Sequence, residues 1–224
     1  NPLVILDDAD LNVAVECAVN GAFYSTGQRC TASSRTIVTE GIYEAFSKAM
    51  IERTRSLKVG AAIDPSTQVG PVVDQRQLDK NLSYVKIGSE EGGKLLVGGQ
   101  RLGDAGYFFS PAIIENHNPQ ARLNQEEVFG PVSTLIKVKD FEEAIAVANA
   151  TPYGLSGGIC TTSLKYATQF RRDMQAGMVM VNAPTAGVDY HVPFGGSKAS
   201  SFGPREQGNM AVEFYTKVKT HYLA

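Results

Sequence analysis

Cys30 is the residue of this sequence best placed to do covalent chemistry. It follows Gly27, where a helical pattern stops, it lies beside Arg29, and its neighbours Thr31 and Ser33 are small and polar. A thiol near a cation and unpaired backbone N–H groups loses its proton more readily, and the thiolate is the form that attacks an electrophile. The same surroundings suit a buried structural cysteine, so the residue pattern alone leaves both readings open. Cys17 and Cys160 each sit within an apolar stretch and read as core packing. Cysteines at 17, 30 and 160 form neither a disulfide framework nor a zinc-binding spacing.

The run Glu126-Glu127-Val128-Phe129-Gly130-Pro131 is the second candidate. An acidic pair before a Gly-Pro turn is usually a solvated loop. It can also present a carboxylate to sugar hydroxyls, with Phe129 as a flat face beside it, and the pattern does not choose. Of the three histidines, His117 and His221 lie among turn or strand residues, and His191 lies in a Gly-rich stretch. No cluster of His and carboxylates suggests a metal. The chain carries neither G-x-G-x-x-G after a strand nor G-x-x-x-x-G-K-[ST], so it has no complete nucleotide-binding signature of its own.

Short apolar runs alternating with helical patterns must position these residues. Strands are expected at 3–6, 36–39, 95–97, 112–115, 134–138, 156–160 and 178–181, with helices between them. Asp8 and Asp10 supply cap chemistry for a helix from Leu11 to Tyr24, and Asp140 with Glu143 forms a capping box. Gly177 stands where a left-handed cap would end a helix from Ser163 to Met174. This alternation predicts an α/β fold with a mostly parallel sheet and helices on both faces. Residues 182–208 hold five Gly and three Pro with little periodicity, and so long a connection in a compact domain is usually functional. From Phe214 to Tyr222 the residues alternate as in a terminal strand.

The composition is that of a soluble globular chain: 224 residues, 43% apolar and 20% charged. A net charge of −2 argues against nucleic acid or an anionic membrane surface, both of which select clustered positive charge. No apolar run is long enough to span a bilayer. Unpaired cysteines point to a reducing, cytoplasmic setting. The chain opens Asn1-Pro2-Leu3-Val4-Ile5-Leu6, without Met and directly on a strand, which reads as the start of a fragment.

Gly27-Gln28-Arg29-Cys30-Thr31-Ala32, then Glu126 to Pro131, then Pro193-Phe194-Gly195-Gly196-Ser197-Lys198, occur in this order and at spacings that resemble the aldehyde dehydrogenase superfamily. The resemblance covers essentially the whole chain and is to the C-terminal, catalytic portion of such enzymes. It implies a catalytic domain over residues 1–213 and an oligomerisation strand over 214–224, with the dinucleotide-binding domain lying upstream. The segment from Pro184 to His191 most resembles the branch acting on α-ketoglutaric semialdehyde (2,5-dioxopentanoate).

By this resemblance Cys30 is the nucleophile, giving a thiohemiacetal and then a thioester that water hydrolyses. Its backbone N–H helps to hold the oxyanion. Glu127 binds the nicotinamide ribose of NAD or NADP, and Phe129 lies beside the cofactor. Val188 and Phe194 line the aldehyde path, and Arg29 is the basic residue nearest in sequence to receive a distant carboxylate. The family's general base and oxyanion Asn fall before Asn1, so these residues alone should oxidise aldehydes negligibly. A small-molecule aldehyde and a homo-dimeric or homo-tetrameric assembly are the implied partners. Rival readings are a succinate or other semialdehyde dehydrogenase, a cysteine-dependent hydrolase using Cys30 and His191, and a non-catalytic scaffold.

Overall fold

The computed structural model describes residues 1–224. In chain order the elements are β1 (Pro2–Ile5), α1 (Leu11–Phe23), β2 (Arg35–Thr39), α2 (Glu40–Arg55), α3 (Gln75–Glu90), β3 (Lys94–Val97), β4 (Ala112–Glu115), α4 (Arg122–Gln125), β5 (Val132–Val138), α5 (Phe141–Asn149), β6 (Tyr153–Gly154), β7 (Ser156–Cys160), α6 (Leu164–Asp173), β8 (Met178–Val181), β9 (Ser197–Lys198) and α7 (Ala211–Tyr215). Seven strands form one sheet in the order β3-β4-β5-β2-β1-β7-β8. Every pairing is parallel except β3 with β4, so the expected α/β class and mostly parallel sheet are found.

Strand periodicity sorts the core onto two faces. In β1, Leu3 and Ile5 join the cluster beneath α1 and α2 with Ala14, Phe23, Phe46 and Met50. Val4 and Leu6 turn to the opposite face, where Phe141, Ala144 and Phe170 of α5 and α6 cover them. A third cluster packs Leu78 of α3 against Ile114, Val128 and Val132, beneath the acidic run.

Caps start the helices where expected. Asp10 accepts hydrogen bonds from the N–H groups of Asn12 at 2.9 Å and Val13 at 3.0 Å, and Asp140 accepts one from Glu143 at 3.0 Å. The reciprocal half of the box differs by one residue: Glu143 accepts from the N–H of Lys139, not Asp140.

Two further expectations are corrected. Gly177 does not have a left-handed φ; α6 ends at Met174 in extended conformation. Glycine is needed at 177 because a Cβ there would overlap the carbonyl of Gly195. Phe214 and Tyr215 end helix α7, and Thr216 to Ala224 form no strand within this chain. A strand exists only where a neighbour takes its N–H and C=O groups, and no strand of this chain pairs with the tail.

Candidate active site

One cleft gathers Cys30, Arg29, Glu127 and Phe129, with Tyr153 and Ser156 on its far wall. Ligands of open parallel sheets usually sit at the carboxyl ends of the strands. Here the cleft lies at the amino ends: Asn1 and Pro2 lead into β1, Ser34 and Arg35 into β2, Val132 opens β5 and Ser156 opens β7.

Cys30 is exposed and sits in a turn closed by the N–H of Ala32 donating to the carbonyl of Arg29 at 2.9 Å. Side chains hold the turn by its carbonyls. Asn1 Nδ2 donates to the carbonyls of Cys30 and Ala32, both at 2.8 Å, while its Oδ1 accepts from the N–H of Ser156 at 3.0 Å. Thr185 Oγ1 donates to the carbonyl of Thr31 at 2.7 Å. Gln28 accepts from the N–H of Val73 at 3.1 Å, which ties the approach to the turn to the segment before α3. The N–H groups of Cys30 and Thr31 have no protein acceptor. The turn therefore carries an accessible thiol and two free backbone donors on a rigid mount.

The two acidic residues part company. Glu126 accepts from Arg122 through both oxygens, at 3.0 and 3.1 Å, and from Tyr84 Oη at 2.5 Å. Those bonds, Arg122 first, hold its carboxyl below the usual range, while burial and Glu126 push the Tyr84 phenol up to about 12. The Glu127 carboxylate has no hydrogen-bond or ion-pair partner and faces solvent. Only its backbone is tied down, through Lys80 Nζ to its carbonyl at 2.7 Å; Gln77 Nε2 holds the next carbonyl, Val128, at 3.0 Å. Phe129 follows at a φ of 59° and the residue is 38% exposed. Positive φ at a bulky residue is strained and persists only where surroundings impose it. A free carboxylate beside an exposed aromatic face fits a ribose and a nicotinamide ring.

Helix C-termini point toward the cleft, and cations cap them, as their negative dipole ends require. Arg29 Nη2 donates to the carbonyl of Asn20 in the last turn of α1 at 2.9 Å, and its buried Nε has no partner. At α5, Arg35 takes the carbonyls of Val147 and Ala148, both at 3.0 Å. Lys198 takes Asn149 at 2.7 Å and Thr151 at 3.1 Å, and Gln125 takes Ala150 at 2.6 Å. Burial lowers the Arg35 guanidinium to about 10. Five successive carbonyls are thus met by side chains from three remote segments.

The structure does not bring Val188 or Phe194 to this cleft; Phe194 instead exchanges backbone hydrogen bonds with Glu206 at 2.6 and 2.8 Å. His191 is exposed and also lies outside it. Asn1, Arg35, Gln77, Lys80, Thr185 and Lys198 escaped the sequence reading. Gln77, Lys80 and Tyr84 share helical spacing along one face of α3, a polar stripe that could have been noticed. The others act from distant segments and leave no local signal.

Fold and cleft together define a parallel α/β domain that mounts an accessible thiol beside a free carboxylate. The chain belongs to the aldehyde dehydrogenase family, whose profile matches residues 1–221. It is 44% identical over its whole length to an α-ketoglutaric semialdehyde dehydrogenase of Bacillus subtilis, covering 46% of that protein. It is 41% identical over 99% of its length to a 2,5-dioxopentanoate dehydrogenase of Saccharolobus solfataricus, again covering 46%. Among solved structures, betaine aldehyde dehydrogenase from Staphylococcus aureus in complex with NAD+ superposes with a TM-score of 0.92 at 36% identity, over 96% of this chain and 43% of that one. The chain spans about half the length of the curated relatives it matches.

Proposed function

We propose that this chain supplies the nucleophile and part of the cofactor site of an NAD- or NADP-dependent aldehyde dehydrogenase, with α-ketoglutaric semialdehyde as the substrate. The observation that carries this reading is the shared cleft of exposed Cys30 and unpaired Glu127. The names of the relatives from Bacillus subtilis and Saccharolobus solfataricus support the choice of substrate.

In this reading the Cys30 thiolate attacks the aldehyde carbon. The Sγ–C bond forms and the carbonyl π pair moves to oxygen. The free N–H groups of the turn are this chain's donors to that oxygen, fixed before the reaction and so without reorganisation cost. A nicotinamide dinucleotide, when bound, supplies the hydride acceptor. Glu127 and Phe129 would hold its nicotinamide end. Cys30 then carries the acyl group as a thioester until water releases the acid. Arg29, whose buried Nε lacks an acceptor, is the group we assign to the substrate's distal carboxylate. Val188 and Phe194 stay in the proposal as walls of the aldehyde path, reached beyond the cleft.

The expected assembly is a homo-dimer or homo-tetramer joined through residues 214–224, where Val218, Tyr222 and Leu223 are almost fully exposed. Removing this tail should leave a smaller species in sedimentation. No helix is long and apolar enough to cross a membrane. A cytoplasmic setting, read from the free cysteines, belongs to the same proposal.

The test is Cys30→Ala in the protein that carries this chain. Aldehyde-dependent reduction of NAD(P) should fall by at least about 10³-fold, and NAD(P) should slow iodoacetamide labelling of Cys30 in the parent. Activity surviving Cys30→Ala would overturn the reading. Loss of ester turnover on His191→Ala would favour the hydrolase.

A further inference from the structure

Behind Cys30 a buried chain of hydroxyl groups joins two segments that are far apart in sequence. Ser33 Oγ lies 2.6 Å from Thr185 Oγ1, and Thr185 Oγ1 donates to the carbonyl of Thr31 at 2.7 Å. Both side chains are wholly inaccessible to solvent. Each hydroxyl has a single proton. The Thr185 proton is committed to Thr31, so Ser33 must supply the proton between the two hydroxyls. The chain therefore runs in one direction, from Ser33 through Thr185 to the turn that carries Cys30.

The surroundings are built to fit it. A Cβ on Gly21 would overlap Ser33 Oγ, and one on Gly158 would come within 2.9 Å of Thr185 Cγ2. The other donor to the Thr31 carbonyl, Ser156 Oγ, stands at 3.5 Å, too long to replace Thr185. The peptide that Thr185 grips is the one whose N–H, on Ala32, closes the turn onto Arg29. Thr185 thus fixes the plane that sets the turn, and Asn1 fixes the flanking carbonyls. Thr185 also opens the long segment that runs through Val188 to Phe194.

We propose that Thr185 is a positioning residue for Cys30: its hydroxyl keys the start of the 185–194 segment to the nucleophile turn, so that thiol and substrate loop keep a common frame. This rests on Cys30 being the nucleophile. Nothing else anchors the Thr31 carbonyl at short range, and a buried carbonyl left without a donor reorients toward one. Displacements of about 1 Å at a reacting atom can cost on the order of 10²-fold in rate.

The experiment compares Thr185→Val, which keeps the shape and removes the hydroxyl, with Thr185→Ser, which keeps the hydroxyl. Readouts are kcat, KM for NAD(P), thermal midpoint, and the rate of Cys30 labelling by iodoacetamide followed by mass spectrometry. Thr185→Val should lower kcat about 10- to 100-fold with KM for NAD(P) within about twofold, and should change the rate of Cys30 labelling. Thr185→Ser should restore most of both. A folded Thr185→Val with parental kcat and labelling would overturn the proposal, as would a Thr185→Ser variant as impaired as Thr185→Val. Should Thr185→Val fail to fold, Thr185→Ala decides by the same readouts: it also removes the donor to the Thr31 carbonyl, so lower kcat at unchanged KM supports the role and parental kcat refutes it. Cys30→Ala separates the two claims. If it stays active the nucleophile reading fails; if it is dead while Thr185→Val is parental, only the positioning role fails.

Discussion

The α-carbon of Gly27 lies so close to Gly130 that a Cβ on Gly27 would overlap the Gly130 carbonyl oxygen. The segment bearing the thiol and the segment bearing the free carboxylate therefore meet backbone to backbone. Gly27 also has a φ of 64°, which other residues adopt at a cost of roughly 1–2 kcal/mol. Overlap and strain add, so Gly27→Ala should destabilise the fold by about 3 kcal/mol or more. Urea unfolding measures this. The same variant should blunt cofactor protection of Cys30, because the two segments can no longer close. A Gly27→Ala protein of parental stability would show that the contact is slack.

The acidic pair predicts opposite behaviours for neighbouring residues. Glu127→Gln removes an unpaired, exposed carboxylate, so stability should hold while KM for NAD(P) rises about tenfold or more. Glu126→Gln removes the charge that pairs with Arg122 and leaves one acceptor oxygen for Arg122 and Tyr84, and should leave KM much closer to parental. Steady-state kinetics on both variants decides between them. Equal effects on KM would mean that the pair acts as one diffuse charge.

Arg29→Leu tests the substrate assignment. If the guanidinium receives a distal carboxylate, the preference for acidic over neutral aldehydes should drop by about tenfold or more, the worth of one charge-assisted hydrogen bond. Because Arg29 also caps α1 through Asn20, the comparison must be a ratio of kcat/KM values, in which a general loss cancels. An unchanged ratio would leave Arg29 with the cap alone.

Sheet class, strand order of appearance and most helix starts were legible because they depend on local patterns. Val4 and Leu6 facing one way and Leu3 and Ile5 the other is period-two alternation, visible in any apolar run. Asp10, Asp74 and Ser163 cap helices by chemistry within three residues. What failed depended on remote partners. Gly177 is a glycine because of Gly195, and the terminal residues alternate like a strand yet have no strand beside them. Of the site, Cys30, Glu127 and Phe129 stood out through motifs. The groups that hold them did not: Asn1, Thr185 and Lys198 act on segments remote in sequence through a few side-chain hydrogen bonds each, and such bonds leave no periodicity.

Acid sensitivity should appear at the carboxyl ends of the strands, opposite the cleft. Asp8 accepts from Thr161 Oγ1 at 2.7 Å, and from the N–H and Oγ1 of Thr162 at 3.1 and 2.9 Å. Burial alone would raise its pKa, but the hydrogen bonds from Thr161 and Thr162 outweigh it and hold the carboxyl below its ordinary value. A depressed folded-state pKa stabilises above the unfolded value near 3.9, and that contribution is lost as pH falls through the folded value. The chain should be more stable than Asp8→Asn at pH 7, with the gap closing below about pH 4. A gap independent of pH in urea unfolding would mean that the carboxylate's charge contributes nothing.

Arg35 carries the last prediction, because it joins fold and site. Its guanidinium is buried and bonds two C-terminal carbonyls of α5, while Arg35 begins the strand that leads out of the cysteine turn. Arg35→Met fills similar volume, orphans the carbonyl of Ala148 and leaves that of Val147 only the N–H of Ala150. At about 1–3 kcal/mol for a buried group left unsatisfied, a loss of about 1–3 kcal/mol follows. Lys198→Met removes the neighbouring cap, but its amine is largely exposed and water can replace it, so the loss should be near 1 kcal/mol or less. The order of the two effects is the test. If Lys198→Met proved the more damaging, α5 would be held from β9 rather than from β2, and the cleft wall formed by Thr151 and Tyr153 would be governed by that strand.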